Sequence, residues 1–224
     1  MSQGEYQIEK NMDRDEAIQI VTDCPNDLDG IPEEFRADRA VVLAAVTADS
    51  HGAGESLRAA SEELRDDREL VLAAITNDSY CEHDDDGTGC SALEWASERL
   101  RADKDVVLAA VELNGAALQY ASDALRGDRE VVEMACEEDG WQEGDGHAVS
   151  FAADAFKADK DCMLALLGKY GADYLGCASK ELLADKEVML AAVAIDGDAL
   201  SHASDELKAD RDVVAAAAKK QRSS

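Results

Sequence analysis

The sequence predicts an all-α fold: an α-solenoid of about eight helix-pair units, each of about 25 residues, in a single elongated domain. Three observations carry this. An Asp followed by Lys or Arg recurs at Asp13, Asp38, Asp67, Asp103, Asp128, Asp159, Asp185 and Asp210, at intervals of 25, 29, 36, 25, 31, 26 and 25 residues. The composition is 46% apolar but only 4% aromatic, which suits small helices packed closely. Proline occurs only at Pro25 and Pro32, so the backbone is free to be helical beyond them.

Each unit opens on a helix of the type seen in Asp103–Val111 or Asp185–Val193, D-K-(D/E)-V-(V/M)-L-A-A-V. Asp suits the N-cap because its carboxylate accepts from free backbone N–H groups, and the acid two residues on favours the positive helix end. The Ala pairs Ala44-Ala45, Ala73-Ala74, Ala109-Ala110 and Ala191-Ala192 allow helices to approach closely. A second helix is expected after a short connection such as Asn114-Gly115, in that unit from about Ala116 to Arg126. Its stripe repeats at i, i+3 and i+7: Leu57/Ala60/Leu64, Leu93/Ala96/Leu100, Leu118/Ala121/Leu125, Val149/Ala152/Phe156, Leu175/Ala178/Leu182 and Leu200/Ala203/Leu207. Ser61, Ser97, Ser122, Ser179 and Ser204 follow the central Ala. No Glu or Gln stands three residues later, so each is expected to bond back to the preceding turn. Pro32 holds that place in the first unit, whose second helix should start there after an irregular lead-in.

The expected boundaries are an N-terminal extension over 1–12, the array over 13–218 and a frayed basic tail over 219–224. Glu16 and Gln19 replace apolar residues in the first unit, as suits an end open to water.

The formal charge of −28 argues against binding nucleic acid or an acidic membrane, and favours a basic protein partner or hydrated cations. Six cysteines are too few for a disulfide scaffold. No apolar leader or uninterrupted apolar span is visible, so a soluble intracellular protein is expected.

Three units are lengthened by insertions after the first helix: Thr47–Ser56, Thr76–Ser91 and Glu137–His147. In a solenoid such loops share one rim, a common place for recognition and equally for tolerated length variation. In the second, Glu82, Asp84 and Asp86 precede Gly87 in the spacing of a calcium loop, with Asp85 among them; the closing bidentate carboxylate is missing, since Glu94 comes one residue late. Cys81, His83 and Cys90 with His51 offer zinc-type ligands in an unusual spacing, and Cys81 and Cys90 a loop-closing disulfide. The third insertion sets Glu138, Asp139, Glu143 and Asp145 around Trp141, an anchor for a basic partner or a core filler. Before each central Ala the residue varies: Gly30, Ala59, Trp95, Tyr120, Phe151, Cys177 and His202 form a recognition column or a row of filler, and Trp95 and Tyr120 are candidate partner contacts.

No phosphate loop, dinucleotide fingerprint, zinc-protease motif or nucleophile elbow is present, so no catalytic residue and no cofactor is expected. The stretches Leu93–Val111 (LEWASERLRADKDVVLAAV) and Leu118–Val132 (LQYASDALRGDREVV) resemble the helical repeat family known as domain of unknown function 4116, over roughly residues 13 to 218. That family has no established activity; the resemblance implies an all-helical array and no site. The expected function is a non-catalytic interaction or scaffold module recognising a basic protein or packing in a larger assembly. The alternative is a low-affinity calcium binder.

Overall fold

The computed structural model describes residues 12–48, 53–77, 92–137 and 148–222. Among these residues the chain is helical throughout, with no strand. Eight long helices mark the units: α1 (Arg14–Asp23), α2 (Arg39–Thr47), α3 (Arg68–Asn77), α4 (Lys104–Leu113), α5 (Arg129–Glu137), α6 (Lys160–Tyr170), α7 (Lys186–Ile195) and α8 (Arg211–Gln221). All eight Asp residues stand at their N-caps. Asp103, for example, accepts from Asp105 N–H at 3.1 Å and Val106 N–H at 3.2 Å; Asp210 accepts from Asp212 N–H at 2.9 Å.

The second helix of each unit is not continuous, which corrects the expectation of one helix over Ala116–Arg126. A 3-10 segment comes first, as in Pro25–Gly30, Gly115–Tyr120, Asp173–Cys177 and Gly197–His202. The α-helical stretches Ala53–Ala59 and Ala92–Trp95 take its place in two lengthened units, and the former absorbs the end of the expected loop Thr47–Ser56, where Ser56 is buried. One or two extended residues follow, and then a single helical turn: Glu33–Arg36, Glu62–Arg65, Glu98–Arg101, Asp123–Arg126, Asp154–Lys157, Lys180–Leu183 or Asp205–Lys208. The lead-in at Pro25–Gly30 is therefore regular.

The break has a physical reason. In a continuous helix the N–H at the Ser position would bond within its own segment. Here it crosses to the previous unit, from Ser61 to Arg36 O at 3.0 Å, Ser97 to Arg65 O at 2.9 Å, Ala153 to Arg126 O at 2.8 Å, Ser179 to Lys157 O at 3.0 Å and Ser204 to Leu183 O at 3.0 Å. Consecutive turns are thereby tied through the backbone. The serines are N-caps of those turns rather than back-bonded residues: Ser97 Oγ accepts from Leu100 N–H at 3.2 Å, and Ser179 and Ser204 from Leu182 and Leu207 N–H at 3.4 Å. Because a 3-10 turn also advances three residues, the stripe survives the break, and Leu118, Ala121 and Leu125 are all buried.

The chain divides into two compact units, Met1–Ala121 and Ser122–Ser224, where one array is expected from sequence. In the first, α1, α2, α3 and α4 stack in order, and the segments Pro25–Gly30, Ala53–Ala59, Ala92–Trp95 and Gly115–Tyr120 form a second layer. In the second, α6, α7 and α8 stack around Met163, Leu167, Leu175, Val188, Met189, Val193 and Val213. The basic residues Lys219 and Lys220 lie inside α8, whose Gln221 Nε2 donates to Asp198 Oδ1 at 2.8 Å, so the helix passes the expected end of the array at 218.

Candidate interaction surface

In five repeats the Lys or Arg after the cap Asp reaches forward to the cap of the next repeat. In the first unit Arg14 pairs with Asp38 at 2.8 Å, Arg39 with Asp67 at 2.6 Å and Glu69 at 2.8 Å, and Arg68 with Asp103 at 3.4 Å and Asp105 at 3.1 Å. In the second, Lys160 pairs with Asp185 at 2.9 Å and Glu187 at 2.7 Å, and Lys186 with Asp210 at 2.9 Å and Asp212 at 2.7 Å. The arriving cation holds its carboxyl below the usual range: Arg14 at Asp38, Arg39 at Asp67, Lys160 at Asp185 and Lys186 at Asp210. Each Asp thus caps its own helix and closes a cross-unit ion pair. Sequence reasoning assigned the triad only to capping; its exact recurrence in neighbouring units was the available signal.

A second device ties one step of the first unit. Asp66 accepts from Ser97 Oγ and pairs with Arg99 Nε at 2.9 Å, while Arg99 Nη2 donates to Asp66 O at 2.8 Å; the Ser97 bond, then Arg99, lowers the Asp66 pKa.

In the second unit the ladder is interrupted at Arg129. Arg129 turns to Glu133 on its own helix at 2.6 Å, and Glu133 stands where the other long helices carry Leu43, Leu72, Leu108, Leu164 and Leu190. Asp159 accepts from Cys162 N–H at 2.9 Å. Burial, then the bond to Asp159, pushes the Cys162 thiol pKa up, away from reactive thiolate. Nearby, the Tyr170 hydroxyl donates to Glu133 O at 3.1 Å, and Lys169 pairs with Glu137 and lies 4.9 Å from the Tyr170 ring centre. Lys169 lowers the Glu137 pKa, and burial raises that of Tyr170. An open depression of about 500 Å³ on α5 is lined by Asp128, Arg129, Glu130, Glu133, Met134 and Glu137.

The short turns carry an exposed acidic row on their first two residues: Glu33, Glu34, Glu62, Glu63 and Glu98 in the first unit, and Asp123, Asp154, Glu181, Asp205 and Glu206 in the second. Own-backbone N–H bonds and then the cap serines lower the pKa of Glu63, Glu181 and Glu206, so these remain anions at neutral pH.

Of the residues singled out from sequence, Trp95 and Tyr120 are half-buried in the second layer of the first unit. The Arg58 guanidinium lies 5.8 Å from the Trp95 ring centre and pairs with Glu55 at 3.1 Å, so Trp95 is partly occupied by its own chain. Gly30 and His202 of the same column are exposed, whereas Ala59, Phe151 and Cys177 are half-buried. Glu82, Asp84, Asp85 and Asp86, Trp141, Glu138, Asp139, Glu143 and Asp145, and the zinc-type ligands Cys81, His83, Cys90 and His51 lie outside the described residues. Among the described residues no group of three or more His, Cys, Asp or Glu is arranged to hold a metal ion. Among the same residues no helix is long and apolar enough to cross a membrane, and Cys24 and Cys162 are free thiols.

The family model described as Domain of unknown function (DUF4116) matches residues 87–126, 103–142 and 185–224. No curated protein and no solved structure matches the chain. The matched stretches span the D-(K/R)-(D/E) triad, the α4 and α7–α8 helices and the capped turns, and over them the chain is similar to the DUF4116 family.

Proposed function

We propose that this chain is a non-catalytic interaction module whose acidic repeat surface receives a basic protein partner. The observation that supports this is the exposed row on the short turns. The ladder cations Arg14, Arg39 and Arg68 are already paired with the chain's own carboxylates, whereas Glu33, Glu34, Glu62 and Glu63 pair with no cation among the described residues and face water. The row is held in register by the backbone bonds between turns, so it offers a fixed ladder of charge rather than a mobile cluster. Fixed charges steer encounter and set register without a deep pocket.

The test is titration of a fluorescent lysine-rich peptide at low salt and at about 0.3 M salt, where the Debye length falls to roughly 6 Å. Two triple variants remove the same charge. One neutralises the row (Glu62→Gln, Glu63→Gln, Glu98→Gln); the other neutralises exposed acids away from it (Glu112→Gln, Asp161→Asn, Asp173→Asn). Salt-sensitive binding weakened about tenfold by the row variant alone is expected. Equal weakening by both variants would reduce the surface to net charge and defeat the reading.

A further inference from the structure

The long helices show which face meets which neighbour. Helix α8 has only α7 beside it in the long-helix layer of its unit; there Val213 and Ala217 are buried while Val214 is 38% exposed. Helix α1 has only α2 beside it; there Ala17 and Val21 are buried, Glu16 is exposed and Ile20 is half-buried. Counted from the cap Asp, positions three and seven therefore face the preceding helix, and positions four and eight the following one. The interior agrees. The fourth-position residues Val42, Val71, Met163 and Met189 are fully buried beneath the next helix, as are the eighth-position Val46, Leu167 and Val193.

Two faces of this kind carry no neighbouring repeat among the described residues. On α8 the face comprises Arg211, Val214 and the half-buried Ala218. On α1 it comprises Asp13, Asp15, Glu16 and Ile20. Arg211 occupies the ladder position from which Arg14, Arg39, Arg68, Lys160 and Lys186 reach forward, yet it is exposed and pairs with no carboxylate among the described residues. Asp13 and Asp15 occupy the positions that Arg39, Arg68, Lys160 and Lys186 reach for, and no cation arrives at them among those residues. Ile20 stands where the interior helices carry the buried Ala45, Ala74, Ala110 and Ala192, and so offers extra apolar bulk on the open face.

We infer that these faces are complementary to each other, and that a second copy of this chain docks head to tail, placing Asp13 and Asp15 of its α1 against Arg211 and its Ile20 against Val214 and Ala218. The contact continues the ladder in the register that each unit repeats internally. Such a contact is heterologous, because the two surfaces differ. It is small and charged, so it is weak, and the net charge of −28 on each copy opposes approach unless salt screens it. Association is therefore strongest at intermediate ionic strength: at about 0.15 M salt long-range repulsion is screened within roughly 8 Å, whereas higher salt weakens the ion pairs themselves. The inference rests on the ladder and is independent of the acidic row.

Sedimentation velocity over a concentration series of the full chain, at about 0.15 M salt, tests it. Arg211→Glu places an acid in the first turn of α8, where the helix dipole favours it, so the fold is retained. The wild-type chain is expected to associate with rising concentration, Arg211→Glu to weaken that association about tenfold, and Arg211→Glu with Asp15→Arg to recover it. A monomer at every concentration, an association unchanged by Arg211→Glu, or a double variant as weak as the single one overturns the inference. Because Arg211 and Asp15 lie outside the acidic row, lysine-peptide binding by these variants reports on that reading separately.

Discussion

Arg129 lies 2.6 Å from Glu133 on its own helix, one turn away, and so does not continue the ladder of cross-unit pairs that its neighbours build. Glu133 also replaces the Leu that half-buries against adjacent helices at the same position in α2, α3, α4, α6 and α7. An exposed i,i+4 pair contributes little, roughly 0.3–0.5 kcal/mol. Burying about half of a Leu side chain contributes roughly 1 kcal/mol. Glu133→Leu is therefore expected to stabilise the chain by about 0.5 kcal/mol, seen as a higher urea midpoint. A lower midpoint would mean that the Arg129–Glu133 pair holds α5 in place.

Asp67 performs two tasks that can be separated. It accepts from Leu70 N–H at 3.1 Å as a cap and pairs with Arg39 at 2.6 Å. Asn caps as well as Asp, so Asp67→Asn removes the charge and keeps the cap. The bond from Arg39 holds the folded carboxyl below its ordinary pKa of 3.8, so its contribution is present above that pH and is lost as pH falls through the lower folded value. The midpoint difference between wild type and Asp67→Asn should be up to about 1 kcal/mol at neutral pH and close below about pH 4. A difference unchanged at pH 3 would assign the effect to packing.

The cap serines should not behave alike. Ser97 Oγ accepts from Leu100 N–H and bonds Asp66, whereas Ser122 makes no cap bond and its buried hydroxyl has no partner among the described residues. Ser97→Ala is expected to cost about 1 kcal/mol or more. Ser122→Ala removes an unsatisfied group and is expected to be neutral or slightly stabilising. Urea midpoints of the two variants decide it; equal losses would show that backbone conformation, not the hydroxyl, sets the cap.

Much of this architecture was legible in the sequence because it rests on short-range rules. Asp caps the eight long helices wherever the triad occurs, and the stripe Leu118/Ala121/Leu125 is buried as its spacing requires. The break before each short turn was not legible: three-residue steps look alike in a 3-10 segment and an α-helix, and the N–H of Ser97 gains its partner only when Arg65 of the previous unit is in place. The ladder was missed for the same reason, since Arg39 and Asp67 are 28 residues apart and only the fold makes them neighbours. The insertions that carried most of the sequence-level site residues, Trp141 and Asp84 among them, lie outside the described residues, whereas the acidic row lies on regular turns that looked like mere surface.

Gly197 is where the last repeat is most tightly closed. A Cβ built there would sit 2.8 Å from the Ala217 carbonyl oxygen and 2.6 Å from Gln221 Cγ, both on α8. The Gln221 side chain can swing away at the cost of its bond to Asp198, but the Ala217 carbonyl belongs to the helix backbone and moves only if α8 moves. Ala217 and Val213 are buried against the core of this unit, so that shift opens packed apolar contacts. Gly197→Ala is expected to cost about 1–3 kcal/mol. The loss should be local: amides of α8 exchange faster while those of α2 keep their protection. Gly30, which also lies in a 3-10 segment but has nothing within 4 Å of its Cβ position, is the control, and Gly30→Ala should change stability by no more than about 0.5 kcal/mol. Equal losses at the two sites would attribute the effect to glycine's backbone freedom and remove the steric account of how α8 seats on Gly197.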